Sequence, residues 1–328
     1  MNELQNKIKD YVSLFHQLRR ELKWKLMDDN VKMMIAASYV INKKGFDFQR
    51  FNQLSNHIKG EVGMFSTLKS HQRFTTAAML DVRYQDPKNK FSEMMELYDL
   101  LVSHRFSRGA FTYIAALVLL SNQEMDPQTA VKKAMEIYKA MKKEHGILTS
   151  SSDYPLVAML ANHEKGVEEL IERMEYFYHQ LHDKGLRKGN DLQFLSHILS
   201  LDTSNNSQVL MDRCQQMIDA FRMQGEKIKP KFYPEVGMLS LVNPSDDVIR
   251  DILQVKDQLD QEKKLKWHKD MNFRMAVNFV ISTHTEDSQL LETGMATTIE
   301  TILQAQQAAL IATMAGTTAA ASSSSGGS

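Results

Sequence analysis

The sequence predicts an all-α fold: a right-handed or irregular α-solenoid of about six helix-turn-helix hairpins with a period near 40 residues. A C-terminal helix is expected to close the stack. Three observations lead there. Tyr113, Tyr154, Gln193, Tyr233 and Phe273 recur as opening residues of apolar helices, in steps of 41, 39, 40 and 40. The preceding helices carry a matching signature in Met95-Glu96-Leu97-Tyr98, Met135-Glu136-Ile137-Tyr138 and Met174-Glu175-Tyr176-Phe177. The chain of 328 residues is 43% hydrophobic but holds only 14 Gly and 6 Pro, too few for an all-β fold with many tight turns. One hairpin cannot bury its apolar face alone, so each unit requires neighbours.

The first element is an amphipathic helix with Leu4, Ile8, Val12, Phe15, Leu18 and Leu22 on one stripe. Met1-Asn2-Glu3-Leu4 lacks the basic start and apolar run of a secretory signal, so a cytoplasmic protein is expected. Asp28-Asp29-Asn30 supplies N-cap residues for a helix over 31–41. Ile35 lies 39 residues before Phe74, and Phe74 lies 39 before Tyr113, which carries the period back to the start. Gln85-Asp86-Pro87-Lys88-Asn89 and Met125-Asp126-Pro127 are short polar connections. In the second, Asp126 caps a helix whose first residue is Pro127.

The clearest unit spans 133–162. Its first helix carries Met135, Ile137, Tyr138 and Met141, its turn is Glu144-His145-Gly146, and its second helix runs from Asp153-Tyr154-Pro155 through Leu160. Gly185 and Gly225, one period apart, are expected to end first helices in the left-handed conformation. The second helices are expected to bury Ile114, Leu117, Leu156, Met159, Phe194, Ile198, Val236 and Leu239.

From 288 to 314, Leu290, Leu291, Ile299, Ile302, Leu303, Leu310 and Ile311 stand among Ala, Thr and Gln and suit the closing helix. Glu292 and Glu300 make it a poor membrane span. Residues 1–315 read as one repeat domain and 316–328 as a disordered tail, since its Ala, Ser and Gly cannot bury a core.

Chemical motifs are sparse. There is no Gly-rich phosphate loop, zincin helix, Cys pair or hydrolase elbow, so no catalytic residue and no cofactor is assigned. Cys214 takes the place of Met174 on an apolar face and reads as a buried, inert thiol. His179 and His182 share one helix face with Glu175, and His197 sits on the partner helix. Three imidazoles and a carboxylate are a candidate divalent-metal set. Asn190, Gln193 and His197, three and four apart, form a candidate partner-binding line. If that line is buried, His197 is expected to bond a backbone carbonyl or a neighbouring side chain.

Zero net charge, 40 Lys+Arg against 40 Asp+Glu, argues against a general nucleic-acid binder. Lys23-Trp24-Lys25 and Lys266-Trp267-His268-Lys269 would suit base stacking. Near helix ends, however, each Trp is expected to pack at a rim. The 21 Met residues read as core filler rather than as an adaptable groove.

The units also carry a resemblance. Asp153-Tyr154-Pro155 with Leu160, Lys188-Gly189-Asn190 with 192–199, and Tyr233-Pro234 with Gly237-Met238-Leu239 are similar to the repeated signatures of a bacterial family. It is the domain-of-unknown-function family numbered four thousand and three, seen mainly in Bacillus-like Gram-positive bacteria. The resemblance covers nearly the whole chain and implies a bacterial, cytoplasmic protein with no catalytic residues to carry over. The expected function is a non-catalytic binding or scaffold protein that offers a helical-repeat groove to a protein or peptide. The alternatives are a metal-dependent enzyme or metal-binding protein centred on the histidines, and a nucleic-acid-binding regulator.

Overall fold

In the computed structural model of the protein the described residues are 2–121, 125–242, 247–284, 299, 301–303, 305, 306 and 309. Among them are fourteen α-helices and no strand. They pair as seven hairpins: α1 (Asn2–Glu21) with α2 (Asp29–Ile41), α3 (Phe48–Glu61) with α4 (Gln72–Arg83), α5 (Pro87–Ser103) with α6 (Ala110–Ser121), and α7 (Pro127–Glu144) with α8 (Tyr154–Ala161). The series continues with α9 (Val167–Asp183) and α10 (Asn190–Ser200), α11 (Ser207–Met223) and α12 (Tyr233–Val242), then α13 (Asp247–Gln261) and α14 (Lys269–His284). The register positions from Ile35 to Phe273 each fall in a second helix. Only Tyr154 and Tyr233 open one; both follow a 3₁₀ turn, whereas the others lie inside the helix.

The two helices of a hairpin differ in kind. First helices are amphipathic: α9 buries Leu170, Met174, Phe177, Tyr178 and Leu181 and exposes its other face. Second helices are the more deeply buried of the pair, and every residue of α8 and of α12 is buried. First helices therefore form an outer layer and second helices an inner one. Capping fixes the entries. Asp126 accepts the Thr129 N–H at 2.9 Å with Pro127 at the first position, and Asp28 accepts the Asn30 N–H at 2.8 Å.

Gly185 and Gly225 have φ of 101° and 81°, and each ends its helix in a Schellman turn. Gly185 N–H reaches His182 O at 2.8 Å and Leu186 N–H reaches Leu181 O at 3.1 Å. Arg105, with φ 74°, makes the same turn at the end of α5 without being glycine.

The repeat's marker residues tie each unit to the turn of the one before. The Tyr113 hydroxyl lies 3.0 Å from Ser66 Oγ, the Tyr154 hydroxyl accepts the Ser107 N–H at 3.3 Å, and the Tyr233 hydroxyl accepts the Arg187 N–H at 3.0 Å. Gln193 does the same with its amide, donating to Thr149 Oγ1 at 3.4 Å. The period is therefore a clasp as well as a packing pattern.

The stack also closes on itself. α14 packs against α1 and α2. Tyr11 meets the Phe279 ring at 5.0 Å, Lys7 Nζ donates to Ser282 Oγ at 3.3 Å, and His268 Nδ1 lies 2.9 Å from Asn30 Oδ1. The expected solenoid of about six hairpins is thus a ring of seven. Of the expected closing helix, 288–314, the described residues lie against the inner helices. Ile299, Ile302, Leu303 and Ala305 are buried. Thr301 accepts from Arg83 at the last residue of α4, whereas Gln306 and Ala309 stand beside the first turns of α10 and α12. The segment runs through the ring against the direction of the inner helices. The expected disordered tail, 316–328, lies outside the described residues.

Of the expected core, Ile114, Leu117, Leu156, Met159, Ile198, Val236 and Leu239 are buried. Phe194 is only half-buried, because it sits near the mouth of the ring and faces a cavity. Among the described residues no helix is long and apolar enough to cross a membrane.

Candidate functional site at the mouth of the ring

The first turns of the inner helices converge on one end of the ring. There they enclose a cavity of about 240 Å³. Phe111 and Phe194 supply aromatic wall, Pro234 an apolar edge, and Asn190, Asp191 and Arg274 the polar groups. The wall is itself periodic. Phe111, Ser152, Asp191 and Lys231 each stand two residues before a register residue, a signal present in the sequence but masked by the residues' unlike chemistry.

The charges at this mouth are compensated. Arg274 donates through Nη1 to Glu235 Oε1 and through Nη2 to the Lys231 carbonyl at 2.6 Å, and Lys231 pairs with Asp270. Burial raises the Glu235 carboxyl above its ordinary range while Arg274 opposes the rise. Burial raises Asp191 as well, again opposed by Arg274. Among the described residues Glu235 Oε2 has no hydrogen-bond partner, nor has the Gln306 side-chain N–H₂ that borders the cavity. Such a site offers donors, acceptors and aromatic faces with little net field.

The histidines are arranged otherwise than expected. Among the described residues no group of three His, Cys, Asp or Glu side chains is placed to hold a metal ion. His179 is exposed, 3.5 Å from Glu175 Oε2. His182 closes its helix end, with Nδ1 3.0 Å from Leu186 O. The partner of Glu175 is His145, overlooked in sequence because it lies in a turn one unit earlier; its Nε2 is 2.9 Å from Glu175 Oε2. His197 is buried on α10, and burial, aided by nearby His145, pushes it down to about 3.

The Asn190, Gln193 and His197 line divides. Asn190 is exposed at the mouth, whereas Gln193 and His197 are interior. Among the described residues the His197 Nδ1 has no hydrogen-bond partner, and Gln193 gives its amide to Thr149. Cys214 is fully buried, and burial pushes its thiol up to about 12, as an inert thiol requires. The two tryptophans do not pack at a rim. Trp24 is 85% and Trp267 82% exposed.

This all-α repeat fold is compatible with a non-catalytic scaffold or binding protein. No solved structure matches the chain. The chain is 38% identical over 314 residues to a Bacillus subtilis (strain 168) protein described as uncharacterized protein YeaA, covering 95% of this chain and 94% of that one. Residues 14–308 match the family described as protein of unknown function (DUF4003). With the match spanning six of the seven hairpins in full, the chain belongs to the DUF4003 family.

Proposed function

We propose that the protein is a non-catalytic, cytoplasmic binding or scaffold protein that presents the mouth of its helical ring to a protein or peptide partner. Residues 1–315 act in this reading as one repeat domain. One observation carries it: a polypeptide segment already occupies the ring, and its Gln306 and Ala309 form part of the mouth cavity's wall. A partner segment meets the same chemistry. Phe111 and Phe194 offer apolar and aromatic contact, and Asn190 and Asp191 offer hydrogen bonds to a neutral peptide backbone.

The test is affinity capture from the native cell with wild-type protein and with Asn190→Arg, which fills the exposed rim. The wild type is expected to retain a partner that the variant loses, with an unchanged melting temperature. Equal capture by both removes the mouth from consideration.

A further inference from the structure

Ring closure brings together turns from opposite ends of the chain. The turn between α13 and α14 (262–268) meets the first hairpin through His268 Nδ1 and Asn30 Oδ1 at 2.9 Å, and through Glu262 and His16 at 3.4 Å. The turn between α1 and α2 (22–28) reaches the second hairpin through Lys25 Nζ, 2.8 Å from Asn52 Oδ1. The turn between α3 and α4 (62–71) belongs to that second hairpin. All three are turns within hairpins, so they emerge at the same end of the ring.

Their composition is unlike that of the chain as a whole. They hold six lysines, Lys23, Lys25, Lys69, Lys263, Lys264 and Lys266, against two carboxylates, Asp28 and Glu262. Both carboxylates are engaged, Asp28 as the cap of α2 and Glu262 with His16. The same turns hold Trp24, Met27, Met64, Phe65 and Trp267, most of the strongly exposed large apolar side chains among the described residues. Phe65 is 98% exposed. Their exposure does not come from loose turns: Leu22 and Leu26 flank Trp24, Leu265 precedes Trp267 and Leu68 follows Phe65, and all four leucines are buried. Each Trp ring has a lysine over it, Lys23 Nζ at 4.9 Å and Lys266 Nζ at 5.0 Å from the ring centroid.

We propose that this sector, formed by three turns of consecutive hairpins at one end of the ring, is a docking surface for an anionic lipid bilayer. Lysines gather at a negatively charged headgroup layer, and Trp, Phe and Met side chains between them enter the boundary with the acyl chains. A nucleic acid satisfies the lysines but offers no apolar phase to Met27, Met64 and Phe65. A folded protein requires a shape-matched surface, whereas a bilayer accepts separate tips at the ends of separate turns. No spanning helix is needed for such contact.

The chain's 2 Trp residues both lie on this surface, so its own fluorescence reports the contact. Full-length protein is titrated with vesicles of equal phosphatidylcholine and phosphatidylglycerol, with vesicles of phosphatidylcholine alone, and with duplex DNA. A blue shift and quenching by bromine-labelled acyl chains are expected with the anionic vesicles only, weakening as salt rises.

The triple variant Lys263→Gln, Lys264→Gln, Lys266→Gln should bind at least about tenfold more weakly. Met64→Ser with Phe65→Ser leaves both Trp reporters in place and should abolish acyl-chain quenching. These side chains are exposed, and unchanged circular-dichroism melts confirm that the variants fold. An unshifted spectrum with anionic vesicles overturns the proposal. So does an equal shift with neutral vesicles, or a response to DNA alone.

Discussion

At the residue scale, three positions show how local geometry sets stability. Gly237 lies inside α12, where a Cβ would stand 2.7 Å from Leu195 Cδ1 and 3.1 Å from Ile198 Cγ2. The missing side chain lets α10 and α12 approach. Gly237→Ala should therefore destabilise by about 1–3 kcal/mol despite the better helix propensity of Ala, which urea denaturation checks. Arg105 holds the left-handed turn position that Gly185 and Gly225 fill elsewhere. Arg105→Gly should stabilise by roughly 0.5–1 kcal/mol in the same assay, because the Cβ strain outweighs the chain entropy that Gly adds.

The buried His197 gives a pH dependence. It stays neutral in the fold down to about 3 and takes up a proton below about 6.5 once unfolded. The unfolded state then binds one more proton at this group, so the His197 contribution to stability falls as pH drops from about 6.5 towards 3, by at most about 1.4 kcal/mol per unit. Asp153, raised to about 6 by burial, acts with the opposite sign below that pH, but equally in wild type and variant. His197→Leu also removes the unpartnered Nδ1. Its melting temperature should exceed that of the wild type by a margin that widens from pH 7 to pH 4. A constant margin contradicts the buried neutral imidazole.

At the element scale, the inner helices α8 and α12 bury all sides and so tolerate truncation poorly. Leu156 lies in α8, whose every residue is buried, and Leu156→Ala should cost about 2–5 kcal/mol in chemical denaturation. The helix inside the ring is held differently. Ile299, Ile302, Leu303 and Ala305 are its buried apolar residues, and among the described residues the Gln306 Nε2 lacks a partner. Ile302→Asp should expel this segment without melting the hairpins. The expected result is raised binding of a hydrophobic dye, with far-ultraviolet circular dichroism reduced only by the helix itself.

At the scale of the whole molecule, closure makes the two ends of the chain share their stability. In an open stack a change in α1 is felt chiefly by its neighbours in sequence. Here Tyr11 packs on Phe279 across the closure. Tyr11→Ala should therefore accelerate amide exchange in α13 and α14 as much as in α2. Faster exchange confined to the first hairpins points instead to an open stack.

Much of this architecture is legible in the sequence because it is local. The step of about 40, the switch from amphipathic to more apolar helices, the caps at Asp28 and Asp126 and the glycine turns at Gly185 and Gly225 depend on contacts within a unit or with the next one. The sequence also identifies the family through such motifs, and it marks Asn190, Gln193 and His197 as sharing one helix.

Tertiary structure alone decided that Asn190 reaches the mouth while His197 is sealed inside, that His145 rather than His182 meets Glu175, and that the seven hairpins close around the C-terminal segment. Closure depends on a small rotation accumulated over every repeat, and no single window of sequence encodes that sum. The meeting of the turn that carries Trp267 with the first hairpin, which carries Trp24, follows from it, because residues at opposite ends of a chain become neighbours only when the ring is complete.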